Sequence, residues 1–305
     1  MEWFFNNDLL FGYQILNGIP HGWDMVMYYI MTAISWLGEE LFYMAIIPIF
    51  FWCYDKNFAF RLAGLFLVSA FFNEAYKHLF DRPRPFAFPE QLDPGIYEAA
   101  TQLGHVESLS HSPGFPSGHT QNSLVFFGVI AWHFRKSWII LLMAIVIMLI
   151  AFSRMYLGVH YPGDVLGGFI IGAIILLFLF TPAFENTAQI KRLFIPIIIL
   201  VLALALAMGG PHIMKLEFLV SRTNIKILGV FSGLAWGLYL LETRLSSFVP
   251  RAKWHKQIIK ILIGFLGVGV FQFGLKFLFE AIYDGWDDVG RLLYFSRNLL
   301  LGLWI

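Results

Sequence analysis

Three short clusters place ionisable residues, which are costly in or near a membrane, at the ends of apolar runs. The first reads Lys77-His-Leu-Phe-Asp-Arg-Pro-Arg84-Pro85. The second is Pro116-Ser117-Gly118-His119. The third runs Ser153-Arg154-Met-Tyr-Leu-Gly-Val-His160-Tyr-Pro-Gly-Asp164. Their residue types suit chemistry on a phosphate ester. In-line displacement at phosphorus needs little covalent help from a protein; it needs positioning and positive charge around the equatorial oxygens. Lys77, Arg84 and Arg154 supply three cations, and a guanidinium can bind two phosphate oxygens at once. Ser117 and Gly118 precede an apolar run. A helix starting there would aim unpaired backbone N–H groups at an anion, and glycine lets the backbone approach closely.

Nucleophile and acid are also present. His119 and His160 carry imidazoles that titrate near neutrality; one can attack phosphorus while the other protonates the leaving oxygen. Asp164 follows His160 by four residues, and Pro162 suits the first turn of the helix between them. That spacing lets the carboxylate hold the Nδ1 proton and leave Nε2 to attack. Taken singly, each residue has a plainer reading. Lys77, Arg82 and Arg84 could snorkel at a membrane boundary, the histidines could be structural, and Asp164 could cap a helix.

The elements that must position these groups are membrane helices. The chain has 305 residues, of which 58% are hydrophobic and only 13% charged. A soluble domain carries about 25% charged residues, so lipid is the expected solvent. A spanning helix needs about 20 mostly apolar residues. The candidates are Glu40 to Trp52, Phe58 to Tyr76, Gln121 to Phe134, Trp138 to Phe152, Val165 to Phe180, Leu193 to Met208, Ile225 to Leu241 and Ile258 to Phe279. Trp23 to Trp36 reads as a short span or an interfacial helix, and Arg291 to Ile305 as a partial or tilted span. Lysine and arginine mark the cytoplasmic side. Lys56 and Arg61, Arg135 and Lys136, Lys191 and Arg192, and Arg244, Arg251, Lys253 and Lys256 share one side; Glu39, Asp284, Asp287 and Asp288 take the other. By this alternation all three clusters face away from the cytoplasm. Net charge is +1, without the basic face expected of a nucleic-acid binder. Cys53 is the single cysteine, so no internal disulfide forms. No basic n-region marks a cleavable signal peptide.

The pattern Lys-x6-Arg-Pro, Pro-Ser-Gly-His and Ser-Arg-x5-His-x3-Asp resembles the signature of the type 2 phosphatidic acid phosphatase superfamily, which includes bacterial acid phosphatases, glucose-6-phosphatase and vanadium haloperoxidases. All three motifs are complete and in order, and the resemblance covers about Trp23 to Phe180. It implies an all-α membrane bundle with a six-helix core and a phosphohistidine on His160. It also implies protonation by His119 and a phosphate held by Lys77, Arg84, Ser117, Gly118 and Arg154. No metal or other cofactor is implied, and three clustered cations would themselves repel a divalent ion.

The expected organisation is a phosphatase core over residues 1–182 and a membrane extension over 183–305 with about three further spans. The extension is expected to pack on the core, shaping a lipid groove or a homodimer interface. Its Gly229, Gly233 and Gly237 recur every fourth position, a pattern of close helix packing within or between chains. Other polar residues carry weaker signals. Glu74 stands at ion-pair spacing from Lys77, and Arg82 reads as an extra cation that could touch substrate. His105 and His111, with Glu98 and Glu107, lack convincing metal-ligand spacing. Ser117 lacks the sequence context of a nucleophilic serine. The function expected is hydrolysis of a membrane lipid: undecaprenyl diphosphate, phosphatidic acid, phosphatidylglycerol phosphate or a sphingoid phosphate. A phosphotransferase using the same pocket, and a lipid transporter or flippase, are the alternatives; haloperoxidase chemistry is remote. The expected location is a bacterial plasma membrane with an outward site, the alternative being endoplasmic reticulum with a lumenal site.

Overall fold

Long apolar runs punctuated by proline, glycine and charged residues dictate helices with sharp ends, and the computed structural model shows them. It describes residues 12–18, 25–181, 221–243, 250–283, 285 and 287–305. Among the described residues no strand occurs. After a helical piece at 12–18 come α1 (Met25–Trp36), α2 (Glu40–Cys53), α3 (Lys56–Phe80), α4 (Pro94–Gln102), α5 (His105–Leu109), α6 (Gly118–Phe134), α7 (Ser137–Tyr156) and α8 (Pro162–Leu176). The later helices are α9 (Arg222–Thr243), α10 (Trp254–Gly269), α11 (Leu275–Ile282) and α12 (Asp288–Trp304). The all-α expectation is met.

Five described segments are long and apolar enough to cross a membrane, and six if α1 and α2, bent by 43° at their break, count as one span. This is fewer than the eight read from the sequence. One candidate, Leu193 to Met208, lies outside the described residues. Helix α6 has 17 residues; at 1.5 Å per residue it is about 25 Å long, short of the ~30 Å hydrocarbon core. Helix α12 is equally short. The run from Ile258 to Phe279 is retained within the span Trp254–Ile282, in which a π-helical turn, Val270–Gly274, joins α10 to α11.

Two compact units emerge. One comprises 1–43 and 75–177; the other comprises 44–74 and 178–305. In the second unit, the end of α2 and most of α3 use the C-terminal helices as packing partners. Trp52 Nε1 donates to the Ile305 carbonyl at 2.8 Å, Gln257 Nε2 donates to the Cys53 carbonyl at 3.1 Å, and Phe60 stacks on Phe231 with centroids 6.5 Å apart. The glycine stripe of α9 is occupied within the chain. A Cβ on Gly233 would lie 2.1 Å from the Leu299 carbonyl oxygen and 2.6 Å from the Leu303 nitrogen of α12. Both are backbone atoms, so only separation of the helices would relieve the overlap. Gly233→Leu is therefore expected to destabilise the detergent-solubilised protein by at least the ~1–3 kcal/mol typical of overpacking. An unchanged unfolding midpoint would contradict this packing.

In the first unit, the segment between α3 and α6 folds back over the turn joining α7 to α8. Phe86 and Ala99 pack with Tyr156, Leu157 and Val159, while Leu92 and Ile96 pack with Tyr13 and Tyr161. Gly158 ends α7 in a left-handed conformation, φ +66°, and a Cβ there would meet Ile96 Cγ2 at 2.4 Å. Backbone handedness and lack of space both require glycine at this position. The turn that carries His160 is thus clamped two residues before it.

Candidate active site

Helix α3 ends because Asp81 adopts a left-handed φ of 41° and prolines follow at 83 and 85. Residues before proline are driven to extended backbone, and Arg84 has φ −83°, ψ 162°. Its side chain is buried and fully engaged. Nε donates to the Ser112 carbonyl at 2.7 Å, Nη1 to the Val159 carbonyl at 3.0 Å, and Nη1 also lies 3.2 Å from His160 Nε2. Ser112 ties in the second cation, since Lys77 Nζ donates to its hydroxyl at 3.1 Å. The third, Arg154, is buried near the end of α7 and donates from Nη1 to the Ser35 hydroxyl of α1.

His160 is almost wholly buried, its Nδ1 lying 3.3 Å from Asp164 Oδ2. Asp164 sits in the first turn of α8, behind Pro162. The same Oδ2 accepts the Tyr161 backbone N–H at 2.9 Å, and Oδ1 accepts from Arg82 Nη1 at 2.8 Å. A carboxylate so held can only accept, so the His160 proton belongs on Nδ1. That leaves the Nε2 lone pair facing the Arg84 guanidinium. Burial, and then the charges of Arg84, Arg154 and Lys77, hold the His160 pKa well below the ordinary histidine range. The imidazole is neutral at neutral pH.

Ser117 is fully buried at the head of α6; its N–H donates to the Asp164 carbonyl at 2.9 Å and its hydroxyl accepts from Thr120 at 3.1 Å. The first N–H groups of α6, beginning at Gly118, have no intrahelical acceptor. His119, one residue on, lies within electrostatic reach of His160, as do Lys77, Arg84 and Arg154. Its Nε2 is 3.0 Å from Glu39 Oε1. All eight residues selected from the sequence therefore meet at one end of α3, α6, α7 and α8.

Arg82 behaves differently from its reading as a substrate contact. It is buried on Asp164, with its guanidinium 4.5 Å from the centre of the Tyr161 ring. Tyr161 donates to Tyr13 at 2.7 Å and Tyr13 to the Pro85 carbonyl at 2.9 Å. Glu39, Ser112 and Ser35 were missed as site residues; each is an ordinary residue type distant in sequence from its partner. Beside Arg84 opens a cavity of about 380 Å³, lined by Asp81, Arg82, Phe86, His111 and Ser112 among others. Such a volume lies within the range of small-ligand sites. His105 is held neutral, its pKa lowered to about 4 by burial and then by Arg154. Among the described residues, no three His, Cys, Asp or Glu side chains are grouped to hold a metal ion.

Comparison with known proteins identifies the family. Residues 58–188 match the model of the PAP2 superfamily, and residues 225–305 match that of the PAP2 superfamily phosphatase transmembrane extension. The chain is 31% identical over 180 residues to phosphatidylglycerophosphatase B of Bacillus subtilis, covering 53% of this chain and 76% of the relative. It is 28% identical over 208 residues to a dihydrosphingosine 1-phosphate phosphatase of Schizosaccharomyces pombe, covering 63% of this chain and 46% of that one. It is 23% identical over 257 residues to sphingosine-1-phosphate phosphatase 1 of Mus musculus, covering 80% and 58% respectively. No solved structure gives a significant match. Complete motifs, their convergence and the coverage of the bacillary relative lead to one assignment: the chain belongs to the PAP2 superfamily, as a phosphatase carrying that family's transmembrane extension.

Proposed function

We propose that the protein hydrolyses the phosphate of a membrane lipid through a phosphohistidine on His160, at the non-cytoplasmic face. The observation that carries this is the poise of His160: Nδ1 held by Asp164, Nε2 turned to Arg84. A phosphate seated among Lys77, Arg84, Arg154 and the N–H groups at Ser117 and Gly118 would meet the Nε2 lone pair in line. The nitrogen–phosphorus bond forms, the phosphorus–oxygen ester bond breaks, and the departing lipid oxygen takes a proton from His119. Water then gives a proton to His119 and attacks phosphorus, releasing phosphate and restoring His160. The cations neutralise the equatorial oxygens in both steps. No step is routed through a metal.

The facing rests on charge in the loops. Arg135 and Lys136 join α6 to α7 at the ends opposite His119 and Arg154, and lysine and arginine accumulate on the cytoplasmic side. A bacterial plasma membrane with an outward site fits this arrangement.

The test is phosphate release by the purified protein from phosphatidylglycerol phosphate, phosphatidic acid, sphingosine phosphate and undecaprenyl diphosphate, in the presence of EDTA. Release from at least one lipid is expected. Release from none, or abolition by the chelator, would contradict the proposal. The pH profile of turnover should be bell-shaped. Activity rises as pH climbs through the pKa of His160, which lies below the ordinary ~6.5 of histidine. It falls again as His119 loses its proton. A profile that only rises or only falls would contradict the pairing of base and acid.

A further inference from the structure

We propose that Glu39, in the break between α1 and α2, is the positioning residue of the acid histidine: its carboxylate holds the Nε2 proton of His119 and leaves Nδ1 to protonate the leaving lipid oxygen. This rests on the assignment of His119 as the acid and adds a residue outside the three motifs.

Two contacts define the seat. Glu39 Oε1 lies 3.0 Å from His119 Nε2. The preceding residue, Gly38, presses the neighbouring ring atom: a Cβ there would stand 2.9 Å from His119 Cδ2 and 3.0 Å from Ile150 Cγ2. Nε2 and Cδ2 are bonded to each other, so one edge of the imidazole is occupied by the helix break. The remaining nitrogen is Nδ1. The site therefore contains two carboxylate–imidazole pairs of opposite sense. Asp164 grips Nδ1 of His160 and frees Nε2 to attack; Glu39 grips Nε2 of His119 and frees Nδ1 to donate.

The proton balance closes on this geometry. Before attack His119 is an imidazolium, Nε2–H on Glu39 and Nδ1–H on the ester oxygen. When the ester bond breaks, the Nδ1 proton goes to the alkoxide and His119 becomes neutral with Nε2–H still held. Neutral Nδ1 then accepts the proton of the attacking water, and the imidazolium returns. Glu39 stays ionised throughout. The charged or titratable groups around the pair are Arg154 of α7 and Lys77 of α3 acting on His119, His160 in electrostatic reach of His119, and His119, Arg154 and His105 of α5 acting on Glu39, with Tyr43 of α2 also in reach of Glu39. Arg154 and Lys77 oppose the imidazolium. Burial is the larger influence and with those cations brings the His119 pKa down to about 4; the Glu39 carboxylate raises it, and the charge of a bound phosphate would add to that rise.

The experiment exploits leaving-group chemistry. The p-nitrophenolate of p-nitrophenyl phosphate leaves without protonation; the alkoxide of a short-chain phosphatidic acid does not, and the first turnover reads that step. In the first turnover, Glu39→Gln should slow alcohol release from the alkyl ester roughly 10–100-fold, a part of the ~10²–10⁴ that a positioned acid contributes, and slow p-nitrophenolate release far less; the later hydrolysis of the phosphoenzyme, which uses His119 as base, slows for both esters alike. The substitution should also move the high-pH limb of the alkyl-ester profile to lower pH, with KM little altered. Glu39→Asp should recover part of the loss. Glu39 is half-exposed, so the substitution leaves no buried charge and folding should persist. His119→Ala, run alongside, should show the same alkyl-selective loss in the first turnover. If His119→Ala is selective and Glu39→Gln loses both esters equally, or neither, the Glu39 proposal is overturned alone. If His119→Ala is itself unselective, the acid assignment falls and the proposal with it.

Discussion

His160→Ala is expected to reduce phosphate release from the lipid substrate by on the order of 10⁴–10⁶-fold, the range seen when a nucleophile is removed from a catalytic unit, while substrate binding persists. The imidazole contributes little that the fold requires. Arg84 keeps its bonds to the Val159 and Ser112 carbonyls, so the cationic cradle remains assembled. Asp164 keeps the Tyr161 N–H and Arg82. The variant should therefore fold, bind lipid phosphate, and fail to cleave it. Kinetics together with lipid-binding titration in detergent would check this. Activity within tenfold of the parent would remove His160 as nucleophile; loss of folding would show that its role is structural.

Asp164→Asn should cost nearly as much activity and more stability. The amide has the shape of the carboxylate but presents an N–H₂ group. If that group faces His160, the imidazole proton is driven to Nε2 and the attacking lone pair is lost. The comparable change beside a catalytic histidine elsewhere lowers turnover by about 10⁴, and 10³–10⁴ is expected here. Arg82 is the second casualty. Its side chain is 2% exposed and that of Asp164 is 0% exposed, so the amide removes the carboxylate from a buried ion pair. Breaking such a pair costs about 3–5 kcal/mol. Thermal unfolding should register that loss alongside the kinetic one. Full activity in the Asn variant would remove the orienting role; an unchanged midpoint would remove the structural one.

Much of the site was legible because its residues sit in short, fixed spacings. Arg84 is trapped between two prolines, His119 follows the Ser-Gly that opens α6, and Asp164 follows His160 by about one helical turn. Local geometry does the positioning in each case. What could not be read came from tertiary packing. Glu39 looked like an acidic marker of the outer side, and nothing in Gly-Glu-Glu announces a helix break folded onto an imidazole. Ser112 is one serine among several in its loop, yet it binds two of the three cations. Arg82, adjacent to motif residues, read as an extra cation that could touch substrate, and nothing local announced its pairing with Asp164. The second unit shows the same limit. Hydropathy located α2 and α3, but residues 44–74 find their packing partners far along the chain. The glycine stripe of α9 implied close approach without naming α12.

The central claim is that phosphate passes through a covalent bond to His160 Nε2, and trapping that bond tests it most directly. The purified protein would be incubated with lipid carrying ³²P in the cleavable phosphate, quenched in alkali within a turnover, and the labelled peptide mapped by mass spectrometry. The account predicts an alkali-stable, acid-labile phosphate on His160, absent from His160→Ala and more abundant in His119→Ala with an aryl ester, where loss of the base slows hydrolysis. Label on another residue, or turnover by the parent with no trapped phosphoenzyme under any quench, would contradict it.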